Sequence, residues 1–243
     1  MQTALIELAG AFAGGFVSGL AGFGTGLIAL GFWLHVLTPS VASTLVVVCS
    51  VLSQIQTIPV IWHAIDRARL WPMLAAGLLG VPLGTHFLAR VDPSAFRLCI
   101  GLFLLAFSLF MLLGRVRTRL VWGGRVADAV IGFLGGIMGG LAGLSGPLPT
   151  IWATLRGWGK DERRSVFQTF NLTILFAALV SHALSGFLTA ELGIAALIAL
   201  PGTVIGSWLG VHAYGKLSDH VFHKTVLCLL GASGMILVWG VVS

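Results

Sequence analysis

Apolar runs of roughly 17 to 25 residues recur along the whole chain with short polar gaps between them, the pattern of helices long enough to cross a bilayer. They fall into two sets. The first opens with an apolar segment over Ala4–Leu37 that glycines interrupt, followed by predicted helices near Ser40–Trp62, Leu70–Leu88 and Ser94–Leu113. The second repeats that order, with an interrupted segment over Val126–Leu155 and helices near Ser165–Phe187, Leu192–Tyr214 and Val221–Val242. No gap has room for a soluble domain. Residues 1–243 therefore read as one transmembrane domain with internal repeats 1–115 and 126–243.

The repetition is visible residue by residue. Glu7–Leu27 set over Asp128–Leu148, at an offset of 121, gives eight identities in 21 positions, among them Phe12/Phe133, Gly19/Gly140 and Gly22/Gly143. "SVAST" at 40–44 matches "SVFQT" at 165–169, and Gly80/Gly84 match Gly202/Gly206 at an offset of 122. Two unrelated apolar helices rarely share their glycines.

Composition agrees with the pattern. Hydrophobic residues make up 57% of the chain and charged residues 9%, with a mean hydropathy of +1.01. A soluble globular domain carries about 25% charge, so a soluble fold is excluded. The net charge of +6 comes from arginines and lysines in the short gaps, which act as topology signals and not as a nucleic-acid surface.

Those charges decide between two topologies. If each interrupted segment crosses once, the chain has eight simple spans and its 14 Lys/Arg divide six against eight, with no bias. If each is a helical hairpin returning to its starting side, twelve share one face and only Arg90 and Arg97 lie opposite. The positive-inside rule favours the hairpin. Each repeat then holds three full spans, so the second enters with opposite orientation, the two are inverted, and both termini lie outside the cytoplasm.

The glycines have a chemical reading beside the topological one. Irregular backbone is tolerated at membrane depth only where protein or a wet cavity surrounds it, so the breaks at Gly22–Gly26 and Gly143–Gly146 are expected inside the bundle. After each break a half-helix begins, presenting free N–H groups and about half a positive charge. In the second copy Ser145 is placed to cap that helix, with Pro147 in its first turn. Two such N-termini facing each other suit a small anion. Gly80/Gly84 and Gly202/Gly206 read instead as helix-packing residues.

These paired glycine-rich motifs, the short loops and the length resemble the sulfite exporter TauE/SafE family over essentially the whole chain. The resemblance implies a carrier of sulfite, sulfonates, thiosulfate or related anions in the bacterial cytoplasmic membrane. The candidate substrate-binding set is Gly22, Gly24, Thr25, Gly26, Ser43, Thr44, Gly143, Ser145, Gly146, Gln168, Thr169 and Asn171, combining backbone and side-chain donors. Gln54, Gln56 and Thr57 are placed opposite Ser181 and His182. His182 is the first candidate for proton coupling, followed by Glu7 and Asp128, which occupy equivalent positions near the start of their helices. Arg97, Arg117 and Lys224 read as interface anchors.

Cys49, Cys99 and Cys228 lie in apolar segments with no metal-ligand spacing, so neither a metal nor a cofactor is expected. The expected partners are a small anionic solute and lipid, with no nucleic acid, and a homodimer is allowed. Two rivals stay open. "GLSG" at 143–146 resembles the nucleophile motif of rhomboid intramembrane proteases, with Ser145 as nucleophile and His182 or His212 as base, and a non-transporting membrane subunit is the other.

Overall fold

The computed structural model describes residues 2–57, 67–113, 123–157 and 160–213, together with 231, 234, 235 and 237–240. The described residues form helices joined by short turns: α1 (Gln2–Ala21), α2 (Thr25–Trp33), α3 (Pro39–Thr57), α4 (Arg67–Leu88), α5 (Pro93–Leu113), α6 (Gly124–Ala142), α7 (Pro147–Arg156), α8 (Lys160–Leu184) and α9 (Ala190–Ala213). Among them α1, α3, α4, α5, α6, α8 and α9 are long and apolar enough to cross a membrane. Most of the last predicted helix, Val221–Val242, lies outside the described residues, as do Tyr214, Cys228, Arg117, Lys224 and the end of the Ser40–Trp62 prediction.

Both interrupted segments are antiparallel hairpins. In the first, Gly24 packs near Val17, Gly14 against Thr25 and Ala29, and Gly10 against Trp33. The indole of Trp33 donates to the Glu7 carbonyl at 3.0 Å, so α2 ends beside the start of α1. In the second, Gly139 packs on Ser145, and Trp152 Nε1 donates to Asp128 Oδ1 at 2.7 Å. Glu7 and Asp128 thus join the arms of each hairpin. They do not sit in a first turn stabilising its dipole, because α1 begins at Gln2 and α6 at Gly124, each two residues before its apolar segment, which leaves Glu7 and Asp128 beyond the first four residues of their helices.

At nine and ten residues, α2 and α7 are about 14 Å long, half the hydrocarbon thickness. α2 is apolar on every side and accordingly sits in the core, with Leu27, Ile28, Leu30 and Trp33 buried. The outward faces of α5 and α9 expose Leu102, Leu109, Ile194 and Leu197.

Contacts between helices fix their directions. α3 leaves the foot of the first hairpin and reaches Gly22 near its own end, where Gln54 Nε2 donates to the Gly22 carbonyl at 2.8 Å, so α3 runs with α1. α8 runs opposite to α3: Thr44 near the start of α3 meets His182 near the end of α8, while Gln168 lies against Gly22 with Gln54. α9 is parallel to α1, and α4 is parallel to α6.

The last two pairs are packed alike. Gly80 faces Phe133 O and Ile137 N, and Gly84 faces Ile137 O and Leu141 N. Gly206 faces Phe12 O and Phe16 N, and Gly210 faces Phe16 O and Leu20 N, which are the same atoms at the offset of 121. Gly80/Gly84 therefore correspond in space to Gly206/Gly210, not to Gly202/Gly206. The small residues of α9 repeat every fourth position, so spacing alone leaves a one-turn ambiguity that packing resolves. Gly202 instead packs on Leu8 and Ala11.

Candidate functional site

The two breaks meet at the centre of the bundle. Gly26 lies beside Leu144 and Gly143, and Gly146 lies beside Phe23. The turns depend on glycine, with Gly24 at φ +113° and Gly143 at φ +67°, backbone conformations costly for any residue with a Cβ. Between them is a cavity of about 10 Å³, walled by Gly24, Thr25 and Gly26 from one break and by Gly143, Gly146 and Pro147 from the other. Ser50 and Gln54 on α3 and Asn171 on α8 add polar side chains. Among the described residues, no charged side chain lines it. The space matches roughly one water molecule, so this conformation is contracted around the site.

Donors dominate the walls. Thr25, Gly26 and Leu27 form the first turn of α2, whose N–H groups have no acceptor within their own helix. The Thr25 hydroxyl is buried and has no hydrogen-bond partner. Gln168 is 1% exposed, and neither its amide nitrogen nor its amide oxygen has a partner. It lies against Gly22, and Asn171, three residues on, continues the same face of α8 into the cavity.

The predicted set is only partly assembled. Gly24, Thr25, Gly26, Gly143, Gly146 and Asn171 line the cavity, and Ser145, Gln168 and Gly22 stand directly behind it. Ser145 does not cap α7: Gly146 is the N-cap residue without a side-chain hydrogen bond, and the Ser145 hydroxyl donates to Asn171 Oδ1. Thr44 is engaged with His182, and Ser43 is buried with an unpaired hydroxyl away from the cavity wall. Thr169 is half-buried and its carbonyl accepts from Thr173.

Ser50 was not among the expected residues, although it lies one turn before Gln54 on the same face of α3, a spacing that helical periodicity makes visible.

His182 is fully buried between the halves. Its Nε2 is 2.7 Å from the Gly140 carbonyl and its Nδ1 is 3.0 Å from Thr44 Oγ1. It is thus opposite Thr44 and not Gln54 or Gln56. Ser181 pairs with Thr85, and Gln56 with Ser207. The expected placement had α3 and α8 in the wrong relative register, which their antiparallel crossing sets. Ser145 meets Asn171 while both ring nitrogens of His182 meet other partners, so the nucleophile and base of a serine protease are not joined. His212 contacts the Trp208 carbonyl on an exposed face.

Interrupted helices packed together at a polar cavity, among helices of membrane-crossing length, define a polytopic α-helical membrane protein. The chain belongs to the sulfite exporter TauE/SafE family, whose model matches residues 7–237. No curated protein and no solved structure matches it. Membership makes it an integral membrane protein of a family that transports sulfur-containing anions.

Proposed function

We propose that this chain is a secondary transporter moving small sulfur-containing anions, namely sulfite, sulfonates or thiosulfate, across the bacterial cytoplasmic membrane by alternating access. The observation that carries the reading is the meeting of two glycine-broken hairpins around a polar cavity with unpaired donors, since matched breaks in two halves are the expected location of a transport site. In this reading the repeats 1–115 and 126–243 are inverted, both termini are outside the cytoplasm, and the halves rock about the cavity. The opposed directions of α3 and α8, and the matched packing of α1 on α9 and α6 on α4, support it.

His182 is the proposed proton carrier. Nε2 must carry a hydrogen to meet the Gly140 carbonyl, which only accepts. Thr44 Oγ1 is within reach of both His182 Nδ1 and the Ser40 carbonyl, the latter at 2.7 Å. The hydroxyl donates to a neutral ring, or turns its hydrogen to Ser40 and accepts from a protonated one. Both states are hydrogen-bonded without moving a heavy atom. Glu7 and Asp128 are assigned to holding the hairpins.

The test is uptake of radiolabelled sulfite into proteoliposomes, with and without an imposed pH gradient. Saturable flux that is lost in Ser145→Leu supports the site, and loss of the gradient dependence in His182→Gln supports the proton role. Absence of any saturable flux of sulfite, sulfonate or thiosulfate refutes the transport reading.

A further inference from the structure

The two half-helices that face the cavity are not equivalent as anion binders. A helix offers the N–H groups of its N-cap residue and first three positions, because none has an acceptor within the helix. In α2 these belong to Gly24, Thr25, Gly26 and Leu27, and all four residues line the cavity. In α7 the N-cap residue is Gly146 and the next three are Pro147, Leu148 and Pro149, so two of the four donors are missing. Proline suits a helix start geometrically and at the same time strips that start of its hydrogens.

Two buried side chains point to a ligand on the α2 side. The Thr25 hydroxyl and both polar atoms of the Gln168 amide have no partner, although both residues are 1% exposed. A buried polar group without a partner is destabilising, and its retention marks a place where something else completes it. Thr25 begins α2, and Gln168 lies against Gly22 just before it.

The charge at this site is equally specific. Among the described residues none in the cavity wall is an arginine, lysine or histidine, so compensation there comes from helix ends, each worth about half an elementary charge. Two ends sum to at most about one, and to less here because α7 lacks two of its donors. A second negative charge on the solute would stay uncompensated in a dry interior, where that is expensive.

We propose, building on the transport reading above, that the anion binds asymmetrically at the N-terminus of α2 through Thr25 and Gln168, and that the site prefers singly charged oxyanions over doubly charged ones, which makes thiosulfate, a dianion at neutral pH, the poorest of the substrates named above. Sulfonates enter as they are. Sulfite, whose second proton titrates near neutral pH, enters as hydrogensulfite, so the His182 role is read on methanesulfonate flux, where the solute carries no titrating proton.

The deciding experiment measures inhibition of radiolabelled sulfite uptake in proteoliposomes by methanesulfonate, which has one charge, and by sulfate, which has two. Methanesulfonate is expected to compete at least about tenfold more strongly, one decade of affinity. Equal competition, or stronger competition by sulfate, overturns the charge assignment while leaving transport intact. Failure to take up any of these anions overturns the transport reading and this inference with it.

Two variants test the placement. Thr25→Val and Gln168→Leu remove polar groups that have no hydrogen-bond partner within the protein, so each is expected to melt at or above the wild-type temperature while losing on the order of tenfold in methanesulfonate affinity, the effect of one charge-assisted hydrogen bond. Unchanged affinity in both overturns the asymmetric site. Pro149→Ala returns one N–H to α7 and is expected to narrow the gap between methanesulfonate and sulfate. A wider gap counts against the donor count.

Discussion

Replacing Gly136 by alanine tests the helix pairing on which the site depends. A Cβ at that position would stand 2.7 Å from the Gly77 carbonyl carbon and 2.8 Å from its Cα, with the Gly77 oxygen nearer still. These are main-chain atoms of α4, so no side chain can turn aside and the two helices must separate. The added methyl gains about 1 kcal/mol of helix propensity, and forced repacking of a tight interface costs about 1–3 kcal/mol, more where backbone must move. A net loss of up to about 2 kcal/mol follows, and more in so far as the α4 backbone must move. Gly15→Ala at the α1–α9 crossing would put its Cβ 2.6 Å from the Thr203 carbonyl oxygen and 3.0 Å from Thr203 Cα, a milder clash with a smaller expected loss. Gly193 on α9 has no atom within 4 Å of an added Cβ, so Gly193→Ala gains the propensity alone. Melting temperatures in one detergent should therefore rank Gly193→Ala above wild type, then Gly15→Ala, then Gly136→Ala. A Gly136→Ala protein as stable as Gly193→Ala refutes the close parallel packing of α4 on α6.

Other predictions follow from single contacts. Trp152→Phe removes the indole donor from the buried Asp128 carboxyl and should lower stability by about 1.5–3 kcal/mol, whereas Trp33→Phe, which frees only a main-chain carbonyl, should cost about 1 kcal/mol; equal losses in paired melts would contradict the assignment. Thr44→Val removes the hydroxyl that can donate to or accept from His182, and should weaken the pH-gradient dependence of sulfite flux more than flux measured without a gradient. With native cysteines replaced, single cysteines at Gly124 and Gly157 should react with an impermeant maleimide from the same face of the membrane, and one at Ser185 from the other. Labelling of Gly124→Cys and Gly157→Cys from opposite faces would eliminate the hairpin reading.

Much of this architecture is legible in the sequence because glycine and charge are informative inside a membrane. The interruptions at Gly22–Gly26 and Gly143–Gly146 could not lie in lipid, and the arginine distribution favoured hairpins, which the Trp33–Glu7 and Trp152–Asp128 contacts then display. Register between helices was not legible. Gly202, Gly206 and Gly210 form a ridge that looks the same after a shift of one turn, and only contact with Phe12 and Phe16 selects the pairing. The same difficulty misplaced His182, since nothing local tells an antiparallel pair where it crosses. Side-chain roles were partly misjudged too: Ser145 lies two residues before Pro147 and resembles a cap, yet its hydroxyl is turned to Asn171.

The prolines show why the local and functional readings of one motif diverge. As a helix start, Gly146–Pro147–Leu148–Pro149 is well chosen, because the missing hydrogens belong to positions that have no acceptor within the helix. As half of an anion site it is deficient for that same reason. A symmetric pair of N-termini would hold a solute equally in both halves, and equal holding gives no preference for one half over the other during a rocking motion. In the proposed rocking cycle, unequal donor counts at α2 and α7 would let the anion stay with the first half while the second moves around it. In that cycle binding energy would follow one half, so a mutation in α2 should change affinity for every anion, whereas one in α7, beyond the shift in charge selectivity expected of Pro149→Ala, should change the rate of exchange.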